Sequence, residues 1–334
     1  MKRYYLITIT LAICLYVLVV LKPSYNAVSS QLRNLLDSNG DFRNDLEIKP
    51  RESGVGTISM EEYIKGPLPQ NDVRIVKYIK DNGFIQPPCS KNKPYKLRKP
   101  ERDPSMGQSQ IAKKIFQGKT NGFFIECGAL DGETRSNTLS LEKDLGWKGL
   151  LIEADPKNFK LLLKKNRRAW AASCCLAVHP FPHEVIFTPN FNTGKIKSEL
   201  RGVGKPALKT SGTRVQCLPL FSLLSAIGVK TVDFFSLDVE GFEMGVLESI
   251  PFDLLTIKVL TVEFTHGKGG PKALIEFMEG KNYRVVTKLT HNHSLANDVI
   301  FAHNSFPIQE EFADVIQSEK LELNPEVKLD GDSD

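Results

Sequence analysis

No two cysteines in this chain have the spacing of a metal knuckle, and no cysteine–histidine cluster replaces one. A structural zinc site is thereby excluded as an organising element. The six cysteines are Cys14, Cys89, Cys127, Cys174, Cys175 and Cys217. Cys127, Cys174 and Cys217 fall in apolar, strand-like runs and read as small buried residues. In an oxidising compartment one disulfide is open to the chain, but spacing does not give its connectivity. Aromatic residues are missing where a nucleic-acid binder would need them. The Gly- and Lys-rich segment 192–214 carries Lys195, Lys197, Arg201, Lys205, Lys209 and Arg214 without one ring. A nucleic-acid partner is therefore excluded, and the segment reads as a mobile, solvated lid.

Long apolar runs are equally scarce. The chain has one at its start, Tyr4 to Leu21, eighteen residues without a charge. That length just spans a bilayer as a helix. Lys2 and Arg3 precede it, which favours a cytoplasmic N-terminus and a type II arrangement with the rest luminal or extracellular. A cleaved signal peptide is the rival reading, but the only cleavage candidate, Ala27-Val28-Ser29, is weak. The sequence thus divides into residues 1–22 (stub and anchor), 23–66 (a polar stem), 67–304 (a domain) and 305–334 (a tail). The tail holds nine acids against two lysines; since the whole chain carries +5, the remainder carries +12. Such a tail reads as solvated and disordered. Asn292-His293-Ser294 is the one N-glycosylation sequon, usable only on a luminal domain.

Within the domain, helix and strand patterns alternate. Strands are expected at 123–127, 148–153, 170–178, 184–188, 231–237, 258–264, 283–288 and 297–302, the last two as an antiparallel edge pair. Helices are expected at 71–80, 110–116, 137–145, 156–166, 220–227, 243–249 and 271–280. The Pro- and Lys-rich connector from Gln86 to Pro104 reads as a solvated loop. The fold class is α/β: a mainly parallel sheet with helices on both faces, preceded by one transmembrane helix.

Three strands end in acids. Phe123-Phe124-Ile125-Glu126-Cys127-Gly128-Ala129-Leu130-Asp131-Gly132 is a buried strand emptying into a glycine turn. Gly149-Leu150-Leu151-Ile152-Glu153 follows, and an acid at the end of a second strand is placed to bind ribose hydroxyls. The third ends at Asp238-Val239-Glu240-Gly241. Together they indicate a nucleoside cofactor. Glu126, Gly128, Asp131, Gly132 and Glu153 are the candidate binding residues, Glu126 alternatively capping nearby amides. Asp238 and His266 are the candidate catalytic residues at the carboxyl edge of the sheet. Asp238 either orients an acceptor or, with Glu240, holds a divalent ion. His266 is a candidate base, or else a surface or packing residue. Glu243 reads as a helix-start acid.

These segments, with Leu151-Ile152-Glu153-Ala154-Asp155-Pro156 and Asp233 to Glu243, resemble the FkbM-type methyltransferase family over residues 120–303. The resemblance implies a Rossmann-like fold, S-adenosylmethionine as cofactor and methyl transfer to oxygen. It also implies that the 128–132 loop lies against the methionine part, with Glu126 toward its amino group. Within the family, Glu126 to Asn137 followed by Trp147-Lys148-Gly149 is most similar to the Star-like membrane proteins of arthropods. That similarity implies instead a non-catalytic role, with a membrane-protein cargo carried from the endoplasmic reticulum. Many relatives of the fold read adenine with an acid or Asn after the third strand; Cys174 to His179 has neither.

Overall fold

The computed structural model describes residues 68–190, 194–200, 212–267, 269–290 and 297–308. The expected anchor, stem, sequon and most of the tail lie outside these residues. Among the described residues, no helix is long and apolar enough to cross a membrane.

The chain forms α1 (Val73–Asp81), β1 (Ile85–Gln86), α2 (Gln108–Ile115), β2 (Phe123–Cys127), α3 (Leu139–Leu145), β3 (Lys148–Glu153), α4 (Pro156–Lys164) and β4 (Trp170–Ser173). Four strands follow: β5 (Cys175–Leu176), β6 (His183–Thr188), β7 (Lys195–Leu200) and β8 (Thr213–Leu218). Then come α5 (Leu220–Ile227), β9 (Thr231–Leu237), α6 (Glu243–Ser249), β10 (Thr256–Glu263), α7 (Gly270–Gly280), β11 (Tyr283–Thr290) and β12 (Asn297–His303). Local chemistry sets several boundaries. Asp155 caps α4 by accepting from Lys157 N, and Pro156 occupies the first helical turn, where a missing N–H costs nothing.

The main sheet has the order β1-β4-β3-β2-β9-β10-β12-β11. Its centre, β4-β3-β2-β9-β10, is parallel, while β1, β12 and β11 run antiparallel to their neighbours. This is a Rossmann-like α/β sheet with an antiparallel edge. Alternate side chains enter opposite cores. Ile125, Leu150, Phe235 and Leu260 pack with α1, α5, α6 and α7. Phe124, Leu151, Phe234 and Val259 pack with α2, α3 and α4. Strands buried on both faces read as the near-continuous apolar runs seen in the sequence. The chain builds outward from β2 to β4, then returns to lay β9 and β10 on β2's other side. The crevice between the carboxyl ends of β2 and β9 is the place where such sheets bind ligands.

Three expectations are corrected. The strand expected over 170–178 breaks at Cys174: β4 stays in the main sheet, while β5 enters a second sheet of order β5-β8-β6-β7. Segment 192–214 is no simple lid, because β7 and the start of β8 lie in it and β7 pairs with β6. The basic connector is strapped to the domain. The amides of Arg98 and Lys99 donate to Glu133 Oε1, Cys89 N to Arg167 O and Lys96 N to Lys165 O.

Cys217 is not a plain buried apolar residue either. It forms a disulfide with Cys175, tying β8 to β5 across a separation of 42 residues. Cys127 and Cys174 are buried free thiols. Closing a loop of this length is worth about 2–4 kcal/mol. Reductant, or Cys175→Ser with Cys217→Ser, is therefore expected to lower the melting temperature by several degrees. Identical melting with and without reductant would mean that the bridge contributes nothing in solution.

Candidate active site

A cavity of about 380 Å³ opens at the carboxyl edge, over the β2/β9 crevice. Its wall on the β3/β4 side includes Ile152, Ala154, Leu176, Phe187 and Ile196, so the second sheet supplies apolar surface. Its wall on the β9/β10/β12 side includes Asp238, Glu240, Glu263, His266 and Asp298. The second wall is acidic, while the first mixes these apolar side chains with Glu153, Asn158 and Asn190.

The β2 turn forms the floor. Gly128 and Ala129 donate their amides to Ile152 O at 3.1 Å. Gly128 has φ +85, and a Cβ there would lie 2.4 Å from the Asp238 carbonyl oxygen. Only glycine fits this approach of two strand ends. Leu130 is held at φ 49, and its amide donates to Glu153 Oε2 at 2.8 Å. Glu153 Oε1 accepts from Asp155 N at 2.7 Å, and the carboxyl still faces the cavity. Burial raises its pKa to about 7, against the pull of the Asp155 and Leu130 amides.

Glu126 also reaches the cavity, but its oxygens are already engaged. Oε1 accepts from Asn137 N at 2.6 Å; Oε2 accepts from Ser136 Oγ at 2.8 Å and Thr138 Oγ1 at 2.6 Å. It holds the start of α3, as the capping alternative expects. Asp131 and Gly132 are not among the described residues lining the cavity. Asp131 accepts the amides of Glu133 and Thr134 and lies 3.3 Å from Lys165 Nζ. Burial favours its neutral form, but those amides and Lys165 outweigh it and keep the carboxyl below its usual range. Gly132 presses on Leu162, and its carbonyl accepts from Arg167 Nη1. Both residues shape the loop from behind instead of lining it.

Asp238 and His266 do come together at the cavity. His266 Nδ1 stands 3.2 Å from Glu240 Oε2 and 3.6 Å from Glu263 Oε2. The Asp238 carboxylate has no hydrogen-bond partner among the described residues. It is exposed at the cavity, where desolvation by the protein around it raises its pKa well above the ordinary value. The charges of Glu240, Glu263, Asp298 and Glu243 add to this. Glu243 is the expected helix-start acid, accepting the amides of Val239 and Gly241 at 2.8–3.1 Å.

Glu263, Asp298 and Arg167 were not anticipated. Glu263 ends β10 as Glu153 ends β3, so the same pattern could have found it. Asp298 sits opposite Glu263 across the β10/β12 pairing, a neighbour that only register creates. Asp298 accepts from Gln108 Nε2 at 2.9 Å and Thr261 Oγ1 at 3.2 Å; burial lifts its pKa to about 6. Arg167 is 3% exposed. It pairs with Glu142 at 3.0 Å and donates to Gly132 O, Ser136 Oγ and Thr138 Oγ1.

Residues 126–285 match the methyltransferase FkbM domain family. The match starts at the acid of β2 and runs into β11. No curated protein shows significant sequence similarity to the chain. Among solved structures, a methyltransferase FkbM from Methylobacillus flagellatus is 14% identical, with a TM-score of 0.37. The match covers 58% of this chain and 48% of that one, so the chain spans about half of its length. An O-methyltransferase from Bacillus cereus in complex with SAH is 13% identical, with a TM-score of 0.35, 69% of this chain and 87% of that one being covered. TrmK from M. capricolum, with S-adenosyl-homocysteine, is 11% identical, with a TM-score of 0.36 and coverage of 63% and 74%.

Proposed function

We propose that the chain is an FkbM-family methyltransferase that moves the methyl group of S-adenosylmethionine to an oxygen. The cavity over the β2/β9 crevice carries this reading, because Gly128 and the Glu153 carboxylate face one space there. The residues fit the cofactor. Glu153 would take the ribose hydroxyls, and the turn at Gly128–Leu130 would lie along the methionine part. Leu176, Phe187 and Ile196 offer an apolar slot for adenine. Asn158 and Asn190 supply polar side chains in place of the acid missing after β4. Glu126, spent on the start of α3, supports the amino group through the loop that it holds. The cofactor, when bound, supplies a methyl group on a cationic sulfur, and the acidic wall suits that charge. His266, with Nδ1 3.2 Å from Glu240 Oε2, would take the hydroxyl proton of an acceptor. Asp238 faces the same acceptor.

The anchor reading places Tyr4–Leu21 in a membrane of the secretory pathway, with the N-terminus cytoplasmic. The Cys175–Cys217 disulfide favours an oxidising lumen or the cell exterior for the domain. A second reading follows the resemblance to Star-like proteins. In it a Star-like protein without turnover carries membrane-bound growth factor precursors between endoplasmic reticulum, Golgi, endosome and plasma membrane.

Calorimetric titration of S-adenosylmethionine into the purified full-length chain separates the two. Micromolar binding, lost in Glu153→Ala, is expected. Because an ionised Glu153 is the better acceptor and its pKa lies near 7, affinity should fall as pH drops from about 8 to about 6. No heat from a folded wild-type chain would sink the enzyme reading.

A further inference from the structure

Three carboxylates converge at and just behind the acidic wall. Asp238, Glu243 and Glu263 each offer a carboxylate oxygen, and these oxygens all lie within 4.8 Å of one another. Oxygens sharing one hard cation at about 2.1–2.5 Å stand up to about 4–5 Å apart. One ion at their centre therefore reaches all three with small side-chain rotations. We infer that Asp238, Glu243 and Glu263 form a binding site for a divalent cation of the Mg²⁺, Mn²⁺ or Ca²⁺ class.

A second observation points to a ligand there. Glu263 is only 9% exposed, and its Oε2 is buried without a hydrogen-bond partner. The other oxygen of Glu263 accepts from Thr265 N at 2.6 Å. His266 Nδ1 at 3.6 Å is beyond hydrogen-bond reach of Oε2 and lies closer to Glu240. A buried carboxylate oxygen left unpaired is costly, and a cation removes that cost. Asp238 adds a carboxylate with no hydrogen bond among the described residues. Glu243 is fixed by the amides of Val239 and Gly241, which aim it without using every lone pair.

Charge balance agrees. Glu240 and Asp298 bring two further acids to this wall, whereas Arg135 and His266 are the only basic side chains among the described residues lining the cavity. All three ligands are oxygens, which selects a hard cation over zinc or copper. The sequence reading paired Asp238 with Glu240 for such an ion; in the structure Glu240 pairs with His266, and Glu243 and Glu263 take its place. A cation here would give an acceptor oxygen a positive partner on the side away from the β3/β4 wall. The site goes beyond the methyltransferase reading and does not depend on it.

The test is Mn²⁺ titration of the full-length chain, with free Mn²⁺ read by electron paramagnetic resonance. One ion per chain is expected, displaced by Mg²⁺ or Ca²⁺. Asp238→Asn and Glu263→Gln should each weaken binding at least about tenfold. Asp238→Asn removes no hydrogen bond between described residues, so it keeps the test valid if Glu263→Gln misfolds. A folded wild type that binds no Mn²⁺ at millimolar concentration overturns the site. So does unchanged affinity in both variants, which would place the ion elsewhere, for example on the acidic tail. S-adenosylmethionine is titrated in parallel: cofactor binding without Mn²⁺ rejects the cation site alone, and Mn²⁺ binding without cofactor rejects the enzyme reading alone.

Discussion

Arg167→Met is expected to cost the domain about 3–5 kcal/mol, because it leaves a buried charge without its partner. A folded domain has only about 5–15 kcal/mol in total, so the variant should melt far below the wild type or not fold. The guanidinium links three parts of the chain. Its ion pair with Glu142 is almost wholly enclosed, with side chains 2% and 0% exposed. It donates to the Gly132 carbonyl behind the β2 turn and to the Ser136 and Thr138 hydroxyls, which in turn donate to Glu126. Its charge also favours the ionised form of Glu126, whose burial pushes the pKa up. Methionine keeps the bulk and removes every donor. Adding Glu142→Met should restore part of the loss, since two apolar groups replace an orphaned carboxylate. Thermal melts of both variants check this. A single variant melting within a degree or two of the wild type would show that the pair contributes little.

Gly128→Ala should cost about 3 kcal/mol or more and abolish cofactor binding. A positive φ costs an alanine about 1–2 kcal/mol by itself. The larger part is the clash, since the new Cβ would meet the Asp238 carbonyl at 2.4 Å. Asp238 N donates to Cys127 O at 3.3 Å, so the two strand ends are joined where they would have to part. Gly118→Ala is the control. Its φ is +71 with nothing within 4 Å of a Cβ, so it should show only the conformational cost. Equal melting temperatures for the two variants would mean that the clash relaxes freely.

The two residues differ in how visible they were. Gly128 stands at the end of an apolar strand, in a pattern spanning ten adjacent residues. Arg167 sits in Asn166-Arg167-Arg168, which reads like any basic turn, and its burial depends on Glu142 and on loop 132–138 folding over it. The second sheet was obscured in a similar way. Lys195 and Lys197 flank Ile196 in the sequence, and Ile196 lines the cavity. Read as composition alone, the segment looked like a charged loop.

The amino-acid sequence alone determined the alternation of strands and helices, the antiparallel ending and the acids at or beside the ends of β2, β3 and β9. These are periodic, local patterns, written within a few residues of where they act. Only the tertiary structure decided that Cys217 joins Cys175, that Asp298 faces Glu263 and that Arg167 is buried. Only it decided which acids are engaged with amides and hydroxyls and which remain open. Those outcomes depend on strand register and loop packing between residues far apart in the chain, and neighbouring residues carry no record of them.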